Sequence, residues 1–184
     1  MDKKIAFLGT PNFAVPILKS IHQSNYKISC VFSQPPRKSN RGHKLNKSPI
    51  HLLSEELGIE IKTPENIEKE IDYIKSLNLD LAIVVAYGQI LSKDILSLSK
   101  NGFINIHASL LPKWRGAAPI QRSLINMDKI TGLSIMKINS KLDEGPVCNK
   151  YPLDILENEN AKSLADRLSN LAAEKILTNI ENIL

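Results

Sequence analysis

Apolar residues along this chain fall into two kinds of pattern, short continuous runs and stripes at helical spacing. Lys4 to Gly9 holds the run Ile5-Ala6-Phe7-Leu8 and predicts a strand, closed by the turn Gly9-Thr10-Pro11. A helix is predicted from about Phe13 to Gln23, with Pro16 in the first turn, where no intrahelical amide is required. Tyr26 to Phe32 reads as a second strand, Pro49 to Leu57 as a helix stopped by Gly58, and Ile59 to Ile61 as a short edge strand. Ile67, Ile71 and Ile74 recur at helical spacing and predict a helix from Ile67 to Leu77. The most apolar run, Leu79 to Ala86, predicts a central parallel strand buried on both faces. A helix over Lys93 to Leu98, a short buried strand over Gly102 to His107 and a helix with Pro119 in its first turn follow. Ile130 to Lys137 alternates only in part and predicts an antiparallel or edge strand, to which Val147 to Ile155 returns. From Ala161, Leu164, Leu168, Leu171, Ala172, Ile176 and Ile180 form one stripe of a long amphipathic helix. Strands alternating with helices predict one α/β domain over residues 1–184: a Rossmann-like, mostly parallel sheet with helices on both faces.

Polar residues break this pattern at three places. Asn105 and His107 sit two apart on a buried strand, so their side chains share one face. They either cap the strand end or open a site, since ligands in such sheets lie outside the carboxyl ends of strands. Asp143, before Glu144-Gly145-Pro146, is either a turn residue or a chemical carboxylate. The loop Tyr87 to Leu91 is either a plain connection or a cleft wall. The opening GTPNFA lacks the further glycines of a dinucleotide fingerprint, so NAD or FAD binding is not expected.

Composition narrows the class. Apolar residues make up 42% and charged residues 23% of 184, an ordinary globular composition of one-domain size. The cysteines Cys30 and Cys148 form no disulfide framework or metal motif, which points to a reducing compartment. The run Ile5 to Leu8 is too short for a signal or membrane segment, so a cytoplasmic protein without a membrane partner is expected. The net charge is +5. Between Gln34 and Ile50 lie Arg37, Lys38, Arg41, Lys44 and Lys47 with no acid, so this one segment holds the whole excess. Its prolines and Gly42 predict a long loop, either a solvated mobile segment or a nucleic-acid contact. The last helix runs to Ile183-Leu184 without a stop signal, which suggests that a larger parent protein continues.

Together these motifs resemble the folate-dependent formyltransferase family. The resemblance rests on Asn105-Ile106-His107, on Ser109-Leu110-Leu111-Pro112 with Arg115-Gly116, and on Leu142-Asp143-Glu144-Gly145-Pro146. Phe7 to Pro11, the inserted segment SQPPRKSNRGHKL, Ala86-Tyr87-Gly88 and SLLPKWRGAAPIQ are similar to the members that act on a charged initiator tRNA, and the likeness extends over essentially all 184 residues. It implies a one-carbon transferase that moves formyl from 10-formyltetrahydrofolate to the α-amino group of initiator methionyl-tRNA, in support of translation initiation. It implies Asn105, His107 and Asp143 as the catalytic trio. Gly88, Gln89, Ile90, Leu91, Ser109, Leu110, Leu111, Pro112 and Asn139 are implied as folate-binding residues, and Arg37, Lys38, Arg41, Lys44 and Lys47 as tRNA contacts. No metal is implied, a monomer is expected, and a C-terminal barrel-like domain that helps hold tRNA is absent from this chain. Glu144 adds a charge beside Asp143 where many relatives have a small residue or threonine.

Acyl-type transfer onto an amine builds negative charge on the carbonyl oxygen, to which the Asn105 amide and the His107 imidazole can both donate, while the Asp143 carboxylate can orient a water or the imidazole and relay the amine's proton. No cysteine or serine nucleophile is needed, and Ser109 lacks a nucleophile-elbow context. Two alternatives remain: a formyltransferase acting on a small amine (a purine-pathway ribonucleotide or an amino sugar), and a non-catalytic nucleic-acid-binding domain. Five clustered cations argue against the first and the complete trio against the second.

Overall fold

A computed structural model describes residues 3–39 and 44–184. Among them are strands β1 (Lys4–Gly9), β2 (Lys27–Phe32), β3 (Arg37–Ser39), β4 (Lys44–Asn46), β5 (Ile61–Lys62), β6 (Leu81–Val85), β7 (Phe103–His107), β8 (Ile130–Lys137) and β9 (Val147–Asp154). The helices are α1 (Val15–His22), α2 (Pro49–Glu56), α3 (Ile71–Leu77), α4 (Lys93–Leu96), α5 (Pro119–Ile125) and α6 (Ala161–Ile183).

Seven strands form one sheet in the order β5-β2-β1-β6-β7-β8-β9. The first five are parallel to their neighbours, whereas β8 pairs antiparallel with both β7 and β9. The expected Rossmann-like α/β architecture is therefore present, with β6 central and every one of its residues buried. Alternation along the strands divides the core. Ile5, Phe7, Ile83, Ile104 and Ile106 face a cluster with α1 and α6, while Ala6, Leu8, Val84 and Phe103 face Ile74 of α3 and Ile95 of α4. A fully buried isoleucine or phenylalanine such as these stabilises by about 1.5–3 kcal/mol relative to exposure. Helix α6 closes one face along the expected stripe, with Leu164, Leu168, Ala172, Ile176 and Ile180 fully buried. It begins in a capping box in which Asn160 and Ser163 satisfy each other's amides.

The structure corrects several boundaries. The helix expected from Ile67 starts as a 3-10 turn, Ile67–Glu70, because the Asn66 side chain accepts the Glu68 amide and tightens that end. The central strand is shorter than Leu79 to Ala86, since Leu79 makes only an isolated bridge to Ser99 and Ala86 turns left-handed at φ 48°. Of the two readings for Ile130 to Lys137, antiparallel holds: β8 lies inside the sheet between β7 and β9, and its weak alternation reflects burial on both faces. The basic segment is not wholly a loop, because β3 and β4 pair as a two-stranded antiparallel ribbon outside the main sheet. The ribbon lies apart from the main sheet, and its Leu45 remains 65% exposed. Among the described residues no helix is long and apolar enough to cross a membrane.

Candidate active site

β7 is the seam where the parallel part of the sheet meets the antiparallel part: Asn105 pairs with Val84 on one side and Met136 on the other, and His107 with Ser134. Asn105 and His107 emerge on the same face as Phe103, as period-two geometry requires. The loop after β8 folds over that face. It can approach so closely only because residue 145 is glycine: a Cβ there would lie 1.8 Å from the Lys137 carbonyl oxygen. Asp143 in this loop adopts a left-handed φ of 48°, which L-residues with a Cβ adopt at a cost that aspartate bears better than most.

These three side chains converge. Asn105 Nδ2 donates toward Asp143 Oδ1 at 3.4 Å, a long contact, and Gly116 N–H donates to Asp143 Oδ2 at 2.8 Å. His107 Nδ1 lies 3.6 Å from Asp143 Oδ2, beyond direct hydrogen-bond length. His107 Nε2 lies 2.9 Å from the Trp114 carbonyl. A carbonyl only accepts, so this contact places a ring hydrogen on Nε2 and leaves Nδ1 facing the carboxylate. Both His107 and Asp143 are largely buried, with side chains 7% and 11% exposed. The Glu144 carboxylate beside Asp143 pairs with Arg115 at 3.4 Å and Lys141 at 3.6 Å.

The trio lines a cavity of about 910 Å³, at the carboxyl ends of β1, β6 and β7. Its size suits a large organic ligand. Gly88, Gln89, Ile90, Leu91 and Asn139 line it, together with Pro11, Asn12, Phe13, Met136 and Ile138, which the sequence reading did not single out. Ile90 and Leu142, 93% and 74% exposed, form apolar lips. Gln89 acts as a tie: its side chain accepts the Ile67 amide at 2.8 Å and donates to the Pro64 carbonyl at 2.9 Å.

Ser109, Leu110, Leu111 and Pro112 are not among the residues that line this cavity. Ser109 and Leu111 are buried. Ser134 Oγ fastens the segment beneath the site, donating to the Ser109 carbonyl at 2.7 Å and accepting the Leu111 amide at 2.9 Å. This segment supports the following turn, whose Trp114 and Gly116 backbone groups do reach the trio. Trp114 is left-handed at φ 58°, a conformation costing about 1–2 kcal/mol for a bulky residue. Nothing local in the sequence signals that conformation.

Of the five basic residues, Arg37 is exposed and lines a second depression of about 470 Å³ that shares Pro11, Ala86, Tyr87 and Gly88 with the main cavity. Gln34 bridges the two: its amide donates to the Tyr87 carbonyl at 3.2 Å, and its oxygen faces Arg37 at 3.4 Å. Lys38 and Lys44 lie on the ribbon strands, and Arg41 lies outside the described residues. Lys47 is ion-paired with Glu55 of α2, so the segment's charge is not wholly unopposed as the sequence suggested.

A strand-end cleft on a mostly parallel sheet thus holds together an amide donor, an imidazole and a carboxylate. The chain belongs to the formyl transferase family, whose model it matches over residues 3–180. It is 59% identical over 186 residues to the methionyl-tRNA formyltransferase of Pelagibacter ubique (strain HTCC1062), covering all of this chain and 60% of that protein. It is 46% identical over 172 residues to the methionyl-tRNA formyltransferase of Caulobacter vibrioides (strain NA1000 / CB15N), covering 92% of this chain and 56% of that one. The chain thus spans about 60% of the length of the curated relatives it matches. Among solved structures, the phosphoribosylglycinamide formyltransferase of Streptococcus pneumoniae TIGR4 superposes with a TM-score of 0.81 at 18% identity, covering 100% of this chain and 99% of that one. The corresponding enzyme of Anaplasma phagocytophilum gives 0.80 at 21% identity, covering 98% and 86%. These two likenesses establish the fold alone.

Proposed function

We propose that this chain transfers a formyl group from 10-formyltetrahydrofolate to the α-amino group of initiator methionyl-tRNA. The observation that carries the chemistry is the convergence of Asn105, His107 and Asp143 on one wall of the cavity. The choice of acceptor is supported by the 59% identity to a methionyl-tRNA formyltransferase and by the basic ribbon beside the cavity. A small-amine acceptor is the weaker reading, since it gives the ribbon no task.

The residues divide the chemistry as follows. The lips Ile90 and Leu142 suit the faces of a pterin, and loop backbone groups at Gly88 to Leu91 and Asn139 suit its polar edge. When the neutral amine attacks the formyl carbon, the carbonyl oxygen gains negative charge. The Asn105 amide, held only by a long contact, turns a hydrogen to that oxygen. Loss of such a donor costs about 100- to 1000-fold in rate. The His107 donor Nε2–H is engaged by Trp114, so His107 does not supply a second oxyanion donor here. Its Nδ1 instead takes the proton that the attacking nitrogen sheds, with the Asp143 carboxylate 3.6 Å away. The resulting imidazolium is balanced by the Asp143 carboxylate and the Trp114 carbonyl. Collapse of the tetrahedral adduct breaks its bond to the folate N10, which leaves with the proton returned by the His107 imidazolium, so that the ring regains its neutral form. The cations of the ribbon engage acceptor-stem phosphates.

The test is formyl transfer from radiolabelled 10-formyltetrahydrofolate to initiator methionyl-tRNA, glycinamide ribonucleotide or an amino sugar nucleotide by purified protein. Label on methionine supports the reading; label on a small amine alone overturns it.

A further inference from the structure

Asp128 lies outside the cavity, in the turn between α5 and β8, and its carboxylate is the hub of a hydrogen-bond network at the edge of the protein. Its side chain is 7% exposed. Oδ2 accepts the Trp114 indole N–H at 2.8 Å, and Oδ1 receives Lys113 Nζ at 2.7 Å and Asn126 Nδ2 at 2.6 Å. Arg122 of α5 stacks over the indole at 4.8 Å from the ring centroid and donates to the Arg115 carbonyl at 2.9 Å. This network grips the one residue whose left-handed backbone aims its carbonyl at His107 Nε2. Two residues on, the same turn presents the Gly116 amide to Asp143.

We infer that Asp128 is a positioning residue that sets the tautomer of His107 through Trp114. The inference rests on the proton-acceptor role given to His107 above. With the indole anchored, the Trp114 carbonyl holds the hydrogen on Nε2 and Nδ1 keeps its lone pair toward Asp143. Without the anchor, the strained turn relaxes and the carbonyl leaves Nε2. The Asp143 carboxylate then draws the hydrogen to Nδ1, the atom that must accept a proton. Acceptor and donor exchange places, and the ring no longer serves as base. Neither Trp114 nor Asp128 touches a reacting atom in this account.

The tautomer can be read without any substrate. Protein carrying ¹⁵N-labelled histidine is examined by long-range ¹H–¹⁵N correlation above the ordinary imidazole titration range. His107 is assigned by its loss in His107→Gln. Wild type should show the Nε2–H pattern. Asp128→Ala should move His107 to the Nδ1–H form or a mixture, with His22 and His51 at wild-type positions as the check on folding. Trp114→Phe, which keeps a ring and loses the indole donor, should do the same, and it carries the test if Asp128→Ala does not fold. Asp128→Asn keeps an acceptor for the indole and should retain the wild-type tautomer. In formyl transfer, kcat of the first two variants should fall on the order of 10- to 100-fold, as for outer-shell partners of imidazoles, with KM for both substrates nearly unchanged. An unchanged His107 pattern in both variants overturns the inference, as does an altered pattern with wild-type kcat. A wild type that shows the expected tautomers but formylates nothing overturns the function while leaving the tautomer relation standing.

Discussion

The backbone amide of Gly116 donates a 2.8 Å hydrogen bond to Asp143 Oδ2, joining the loop after β7 to the loop after β8. This single bond orients the carboxylate whose other oxygen faces the Asn105 amide. Asp143 therefore has a positional and an electrostatic task, and substitution can separate them.

Asp143→Asn retains an oxygen for the Gly116 amide and removes the charge that balances an imidazolium on His107. Turnover should fall about 100-fold or more, the scale of losing one electrostatic partner of a developing charge. Thermal melting should stay within a few degrees of wild type, since the fold keeps its hydrogen bond. A rate near wild type would contradict the assignment.

Gly145 is a purely steric requirement. Gly145→Ala places a Cβ 1.8 Å from the Lys137 carbonyl, so the Asp143 loop must lift from β8. Urea denaturation should show a loss of about 1–3 kcal/mol, the usual range for overpacking, together with loss of transfer. Gly58→Ala serves as the comparison. Gly58 has φ 66° and nothing within 4 Å of the added carbon, so only backbone strain of about 1 kcal/mol is expected, with transfer unaffected.

The sheet was legible because its strands carry the burial signal directly: β6 is apolar throughout and lies at the centre. Asn105 and His107 were legible because polar side chains two apart on a buried strand violate the pattern around them. The β3–β4 ribbon was not, because a ribbon outside the core leaves no hydrophobic period. The bracing of Ser109–Pro112 by Ser134 and of the Tyr87–Leu91 loop by Gln89 was not legible, because a motif names residues and not their hydrogen-bond partners. The Trp114–Asp128 anchor was illegible because it joins a loop to a turn through one indole hydrogen, with no spacing rule behind it.

Asp128 should also shape acid stability. Burial opposes its ionisation, but Lys113, Asn126 and Trp114 together hold its carboxyl below the usual carboxylate range. A carboxyl depressed in the folded state contributes stability that is complete above its unfolded pKa and is lost as pH falls through the folded value. Chemical denaturation of wild type should therefore weaken below about pH 4, the ordinary aspartate value, and Asp128→Asn should flatten that part of the curve. Parallel curves would refute this contribution.

The two thiols should differ sharply. Burial pushes the Cys30 thiol up to about 11, whereas Cys148 is exposed. An alkylating reagent at neutral pH should label Cys148 alone, with Cys30 reacting only after denaturant is added, as mass spectrometry of digests can show. Rapid native labelling of Cys30 would contradict the described β2 packing.

The ribbon's contribution should appear in salt dependence. Each phosphate contact adds roughly 0.7–0.9 to the log–log slope, on the values for single strands and B-DNA. Arg37→Ala and Arg41→Ala should each lower the slope of tRNA binding by about that amount and leave folate binding unchanged. Lys47→Ala should change it less, because Glu55 already opposes that charge. Equal effects from all three would mean that the Lys47–Glu55 pair does not persist in the complex.

The central claim is that formyl transfer to methionyl-tRNA takes place at Asn105, His107 and Asp143, and single-turnover kinetics test it most directly. Protein in excess over initiator methionyl-tRNA, saturated with 10-formyltetrahydrofolate, is quenched at intervals and formylmethionine is counted for wild type, Asn105→Ala and His107→Ala. The account predicts rapid transfer by wild type and rates about 100- to 1000-fold lower for Asn105→Ala, the cost of one oxyanion donor, with a comparable loss for His107→Ala. Wild-type rates from either variant would contradict it.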